Sequence, residues 1–324
     1  MPTSVWRIIG WTIVSTLFAF LLNNYLVNWL NWPGLMALFE ATSTQVSDQI
    51  GLAWAHAAIY LAAFVGSVAF VMKSPDRVLR DDSEQFTKIG SFIVRAAFWS
   101  VLLIGFVDAT ISFLRVEGFL VSLFGDEIAT SLGRPQYRSP VIHMPLMVLS
   151  IVIACFVRSL GFTWLALLVV VAELLIVFSR FVFSYEQAFM GDLVRFWYAA
   201  LFLFASAYTL LEEGHVRVDV MYAGFTEKKK GLINAVGSIF LGATLCIVIL
   251  VLGMEGKANI INAPLLSYEV SQSGFGMYVK YMMAGFLAIF AISMLIQFAA
   301  SFLSGIADYR GEPGGRKIDD VLTH

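Results

Sequence analysis

Two carboxylates stand deep inside long apolar runs, Asp108 and Glu173. An acid at that depth in a hydrocarbon environment is costly and marks either a functional group or a buried partner. Each is followed seven residues later by an arginine, Arg115 and Arg180. Seven residues are two helical turns, so acid and base share a face but lie too far apart to pair without a bridging group. Such a pair could relay a proton or a cation. The plainer reading is a polar contact that fixes helix packing, with the arginines reaching outward along their stems. His56 and His143, on different apolar runs, are the right residue type to hold a haem between helices, but no spacing motif accompanies them. Cys155 and Cys246 both sit in apolar runs and form neither a disulfide framework nor a zinc motif. There is no P-loop, no GxGxxG opening a helix, no GxSxG and no HExxH. The pattern therefore points away from an enzyme and from an ATP-driven pump.

The elements that must position these residues are membrane helices. Of 324 residues, 59% are hydrophobic and 14% charged, against roughly a quarter charged in soluble domains. Apolar runs of spanning length cover 5–28, 52–72, 91–115, 140–157, 162–184, 192–211, 232–254 and 279–303. Residues 140–184 as one helix would measure about 67 Å, longer than any bilayer, so a break is placed at Arg158, Ser159 and Gly161. The segment 140–157 is short enough to be a re-entrant hairpin instead of a full span. The expected fold is all-α, a polytopic bundle of about eight transmembrane helices. With the N-terminus inside, 14 lysines and arginines fall on the inner side and 7 on the outer, which places both termini in the cytoplasm. The loop 116–139 mixes Phe119, Leu120, Leu123 and Phe124 with Asp126 and Glu127, a pattern suited to a helix lying in the interface.

The segment Glu212–Gly231, EEGHVRVDVMYAGFTEKKKG, is the most informative polar stretch. His215, Arg217 and Asp219 can pair along one side while Val216, Val218 and Val220 bury. Lys228, Lys229 and Lys230 would then hold the loop at an anionic inner leaflet. Three features follow one another in order. Arg180-Phe181-Val182-Phe183 ends one span, Asp192 and Arg195 open the next, and Gly214-His215-Val216-Arg217-Val218-Asp219 closes it before a basic turn. Over about 162–304 this constellation resembles the small membrane subunit, DctQ type, of tripartite ATP-independent periplasmic (TRAP) transporters. Gly191 stands where that family usually carries a second acid, and the tryptophan before it is missing. Four further spans in residues 1–158 make the chain a long variant.

The resemblance implies a non-catalytic permease subunit in the bacterial inner membrane. Its partners would be a large TRAP membrane subunit, a periplasmic substrate-binding protein and the surrounding lipid, with no nucleic acid. The subunit would brace the large one and help dock the binding protein for organic acid uptake. No cofactor or metal is expected on this chain, and the coupling Na⁺ would sit on the large partner. Arg180, Asp192 and Arg195 would shape the outer rim, and His215, Arg217 and Asp219 the inner loop. The organisation expected is an extra membrane region 1–158, a four-span domain 162–304 and a cytoplasmic tail 305–324. The competing expectation is a free-standing secondary transporter with Asp108 and Glu173 as coupling acids.

Overall fold

A computed structural model describes residues 2–39, 50–158, 162–185, 187–211, 222, 224–271 and 276–314. Among them there are helices and turns but no strand. Eight helices are long and apolar enough to cross a bilayer: α1 (Thr3–Asn28), α2 (Ile50–Lys73), α3 (Leu79–Val116), α6 (Pro135–Phe156), α7 (Phe162–Phe183), α8 (Met190–Leu211), α9 (Glu227–Met254) and α11 (Lys280–Arg310). Short helices α4 (Phe119–Phe124) and α5 (Asp126–Leu132) fill the loop before α6, and α10 (Asn262–Ser267) the loop before α11. The chain is a multi-pass, all-α membrane protein. Helices are the open-ended solution in hydrocarbon because each satisfies its own backbone. Hydroxyls inside the spans follow the same rule. Ser67, Ser100, Ser150 and Thr209 each donate to the carbonyl four residues back, at 2.8, 2.9, 2.6 and 2.8 Å.

Three spans outrun their apolar stretches. α3 begins at Leu79, twelve residues before the expected start, because 79–90 is polar yet strongly helix-forming. Asp81 and Asp82 lie in its first turn, where the helix dipole favours acids, and Glu84 pairs with Lys88 at 2.7 Å. α9 starts at Glu227 and α11 runs on to Arg310. The segment expected as a span or a hairpin at 140–157 is a continuous helix of 22 residues from Pro135. Its residues Ser139–His143 are wound as a π-helix, where Pro140 lacks the N–H that an α-turn would use.

The chain forms two compact units. One comprises Met1–Ile89, Leu210–Lys257 and Met294–His324, and the other Gly90–Thr209 and Ala258–Ser293. Each therefore draws on both the first 158 residues and those that follow.

In the first unit, the Trp11 ring meets Phe70 of α2 and Phe86 of α3 at 4.5 and 4.8 Å between centroids. Small residues let α9 and α11 approach closely. A Cβ added at Gly231 would stand 2.6 Å from the Gly305 carbonyl oxygen, and one at Gly242 2.5 Å from the Phe298 ring. Arg7 is fully buried and donates to Asp82 Oδ2 at 2.6 Å and to the Ser74 hydroxyl at 2.8 Å. Arg77 Nε lies 3.2 Å from the other Asp82 oxygen. Arg80 joins the start of α3 to the end of α11 through Asp308 at 2.7 Å and the Pro313 carbonyl at 2.8 Å.

In the second unit, the core is built from Phe98, Val101 and Ile104 of α3, Leu165 and Ala172 of α7, Phe196, Trp197, Ala200 and Phe204 of α8, and Phe286 of α11. Phe286 packs against Phe196 and Phe204 at 5.1 and 5.0 Å between centroids. Gly105 of α3 leaves room for Trp197, whose Nε1 would be 2.3 Å from any Cβ there.

Candidate functional site

The polar centre of the second unit lies where α3 ends and α8 and α11 begin. It is organised around residues 276–279, the strap leading into α11. The two successive amides of the strap are each taken by a different carboxylate. Met277 N donates to Asp192 Oδ2 at 3.1 Å, and Tyr278 N donates to Asp108 Oδ2 at 2.8 Å. Asp192 sits in the first turn of α8, where the helix amides already favour an anion. It also accepts from Ser271 Oγ at 3.2 Å, while Arg195 approaches its other oxygen at 3.7 Å and is largely exposed.

Asp108 is fully buried and uses both oxygens. Oδ1 accepts from Arg138 Nη1 at 2.9 Å and from His143 Nε2 at 3.1 Å. Because a carboxylate only accepts, His143 carries its proton on Nε2. Its Nδ1 shares a hydrogen bond with the Tyr281 hydroxyl at 2.9 Å. Arg138 also donates from Nε to the Leu132 carbonyl at 2.8 Å, and its guanidinium lies 4.2 Å from the Tyr278 ring centroid. Arg115 donates to the Tyr278 hydroxyl and to the Gly276 carbonyl, the latter at 3.0 Å. That hydroxyl in turn donates to the Gly133 carbonyl at 2.7 Å.

The bridging group that the Asp108–Arg115 spacing requires is thus Tyr278, whose amide meets the acid and whose hydroxyl meets the base. The direct cation for Asp108 is Arg138. Arg138 stands just outside the apolar run 140–157 and His143 near its start, and both are completely buried. Arg138 directly precedes the π-helical turn Ser139–His143 of α6, and both side chains reach Asp108 of α3. The pattern Arg138-Ser139-Pro140 directly before an apolar run is the signal that was available. The buried Arg7–Asp82 pair was also missed, because Asp82 stands outside the apolar window of its helix.

Glu173 and Arg180 are placed differently. Both are exposed on α7, and Glu173 is no part of the cluster around Asp108. His215, Arg217 and Asp219 lie outside the described residues. Lys228, Lys229 and Lys230 occupy the first turns of α9, where Lys230 reaches Glu227 at 3.2 Å. The His56 ring, the other haem candidate, is buried against Asn23 at 2.7 Å in the first unit. Among the described residues no cluster of three or more His, Cys, Asp or Glu side chains is arranged to hold a metal.

Residues 166–308 match the family described as tripartite ATP-independent periplasmic transporters, DctQ component. They form a DctQ domain. No curated protein and no solved structure matches the chain. The family description names a component of a transporter. The match begins inside α7 and ends inside α11, so α1, α2, α3 and α6 are the additional helices of a long variant. The strap amides then acquire a clear meaning. Asp192 belongs to the DctQ domain, whereas Asp108 and Arg138 belong to the additional helices and contact the same four residues.

Proposed function

We propose that this chain is the bracing subunit of a TRAP-type secondary transporter. It would stiffen the scaffold of a large membrane subunit and offer outer surface on which a periplasmic substrate-binding protein docks for organic acid uptake. The observation that carries this reading is the DctQ domain over 166–308. The use of the buried charges supports it. Asp108 with Arg138, and Asp82 with Arg7, are each spent on a partner within the chain, which suits a rigid part better than a site that must bind and release a solute. On this reading both termini are cytoplasmic and the membrane is the bacterial inner membrane. The substrate and coupling Na⁺ sites lie on the large subunit, and this chain carries no cofactor. Residues 1–158 are an added membrane region, 162–304 the family domain and 305–324 a tail. Arg180, Asp192 and Arg195 shape the outer rim. His215, Arg217 and Asp219 organise the inner loop, and Lys228, Lys229 and Lys230 rest on anionic lipid.

Reconstitution tests the proposal. The chain alone in liposomes should move no organic acid under a Na⁺ or proton gradient, and uptake should require both the large subunit and the binding protein. Gradient-driven uptake by the chain alone would replace this reading with the free-standing transporter, and Asp108→Asn and Glu173→Gln would then be the variants to silence it.

A further inference from the structure

α7 is the least covered span, with 11% of its apolar window buried against 72% for α11. Its inward side is the stripe Leu165, Ala172 and the partly buried Leu168, Val169 and Ile176. One step round the helix runs a second stripe, Thr163, Ala166, Val170, Glu173, Val177 and Arg180. Its spacings alternate three and four, the repeat that keeps one face turned to a neighbouring helix. Val170 and Val177 are 55% and 49% exposed, and Glu173 between them is exposed as well. Glu173 has no ion-pair or hydrogen-bond partner among the described residues. It stands midway along Phe162–Phe183, about 15 Å from either end, too deep for a short carboxylate side chain to reach water. The neighbouring stripe Leu167, Leu174 and Phe178 is equally exposed but wholly apolar, which suits lipid.

We infer that the Glu173 stripe of α7 is the seat of a transmembrane helix from the large subunit, one that presents a hydrogen-bond-donating side chain, a lysine or arginine foremost, level with Glu173. This rests on the function proposed above and names the face and the chemistry of its contact. An unanswered carboxylate at mid-bilayer selects for a donor. Small residues at Thr163 and Ala166 allow close approach at one end of the seam, and β-branched Val170 and Val177 flank the acid as knobs. A second copy of this chain is the poorer occupant, because it would set two Glu173 carboxylates against each other.

The test uses the complete transporter, co-expressed and extracted in mild detergent. A benzophenone side chain at Val170 or Val177 should cross-link to the large subunit, and one at Leu174 or Phe178 to lipid. Glu173→Arg should cut the co-purified large subunit about tenfold, with the thermal midpoint of the chain itself unchanged, while Glu173→Gln, which can still accept a hydrogen bond, should keep most of it. Wild-type yield from Glu173→Arg, or cross-links from Val170 and Val177 to lipid or to a second copy, would overturn the inference alone. If the unaltered chain brings no large membrane protein with it, the proposed function fails and this inference with it.

Discussion

Removing the Asp108 carboxylate should be among the most damaging single changes in the chain. Asp108→Ala leaves the Arg138 guanidinium fully buried without its counter-ion, frees the Tyr278 amide and takes away the acceptor of His143 Nε2–H. Breaking a buried pair from one side costs about 3–5 kcal/mol, and an orphaned buried donor costs about 1–3 kcal/mol more. These contributions overlap in one network, so a total near 4 kcal/mol is the expected scale. For a unit of this size that is a fall in thermal midpoint of roughly 10 °C, read by fluorescence-detected unfolding in detergent. Asp108→Asn should recover little, since its amide turns two hydrogens toward groups that are themselves donors. Asp108→Leu combined with Arg138→Met removes both charges and should recover at least half the loss. A shift below about 2 °C for Asp108→Ala, or a double variant as unstable as the two singles added together, would show that the pair does not hold the strap.

Asp82→Ala strands the buried Arg7 in the same way and should cost about 3–5 kcal/mol in the same melt, with Arg7→Met as the compensating second change. Gly231→Leu forces a side chain into the 2.6 Å approach of α9 to the Gly305 carbonyl and should lower stability by about 1–3 kcal/mol or more, whereas Gly191→Ala, with open space around it, should be neutral. Tyr185, outside the spans, donates to Glu117 at 2.6 Å, and that carboxylate raises the phenol above its ordinary range. The contact is complete below the unfolded phenol's titration and is lost as pH rises through the folded one. The Tyr185 ionisation, read as the near-ultraviolet difference between the unaltered chain and Tyr185→Phe, should therefore move to lower pH in Glu117→Gln. An unmoved titration would show that the hydrogen bond is not made.

Hydropathy alone determined that this is an all-helical membrane protein, and it placed all eight spans, because crossing a bilayer is a local demand that each stretch of about 20 residues meets on its own. Helix ends were less legible where polar residues with strong helix propensity carried α3, α9 and α11 beyond the apolar window. The seven-residue spacing of Asp108 and Arg115 correctly demanded a bridging group. It could not name Tyr278, which lies 170 residues from Asp108 along the chain. Nor could charge counting show that Arg7 and Arg138 are buried, since a guanidinium's environment is set by which distant acid the packing delivers to it. The ordered elements around Arg180, Asp192 and, above all, His215-Val216-Arg217-Val218-Asp219 pointed to the family because they are short and linear. What only the tertiary structure decided is the different fate of two similar acids. Asp108 is enclosed by α6 and the strap, and Glu173 is left on the open face of α7, because burial depends on the neighbours a helix acquires and not on the residues it contains.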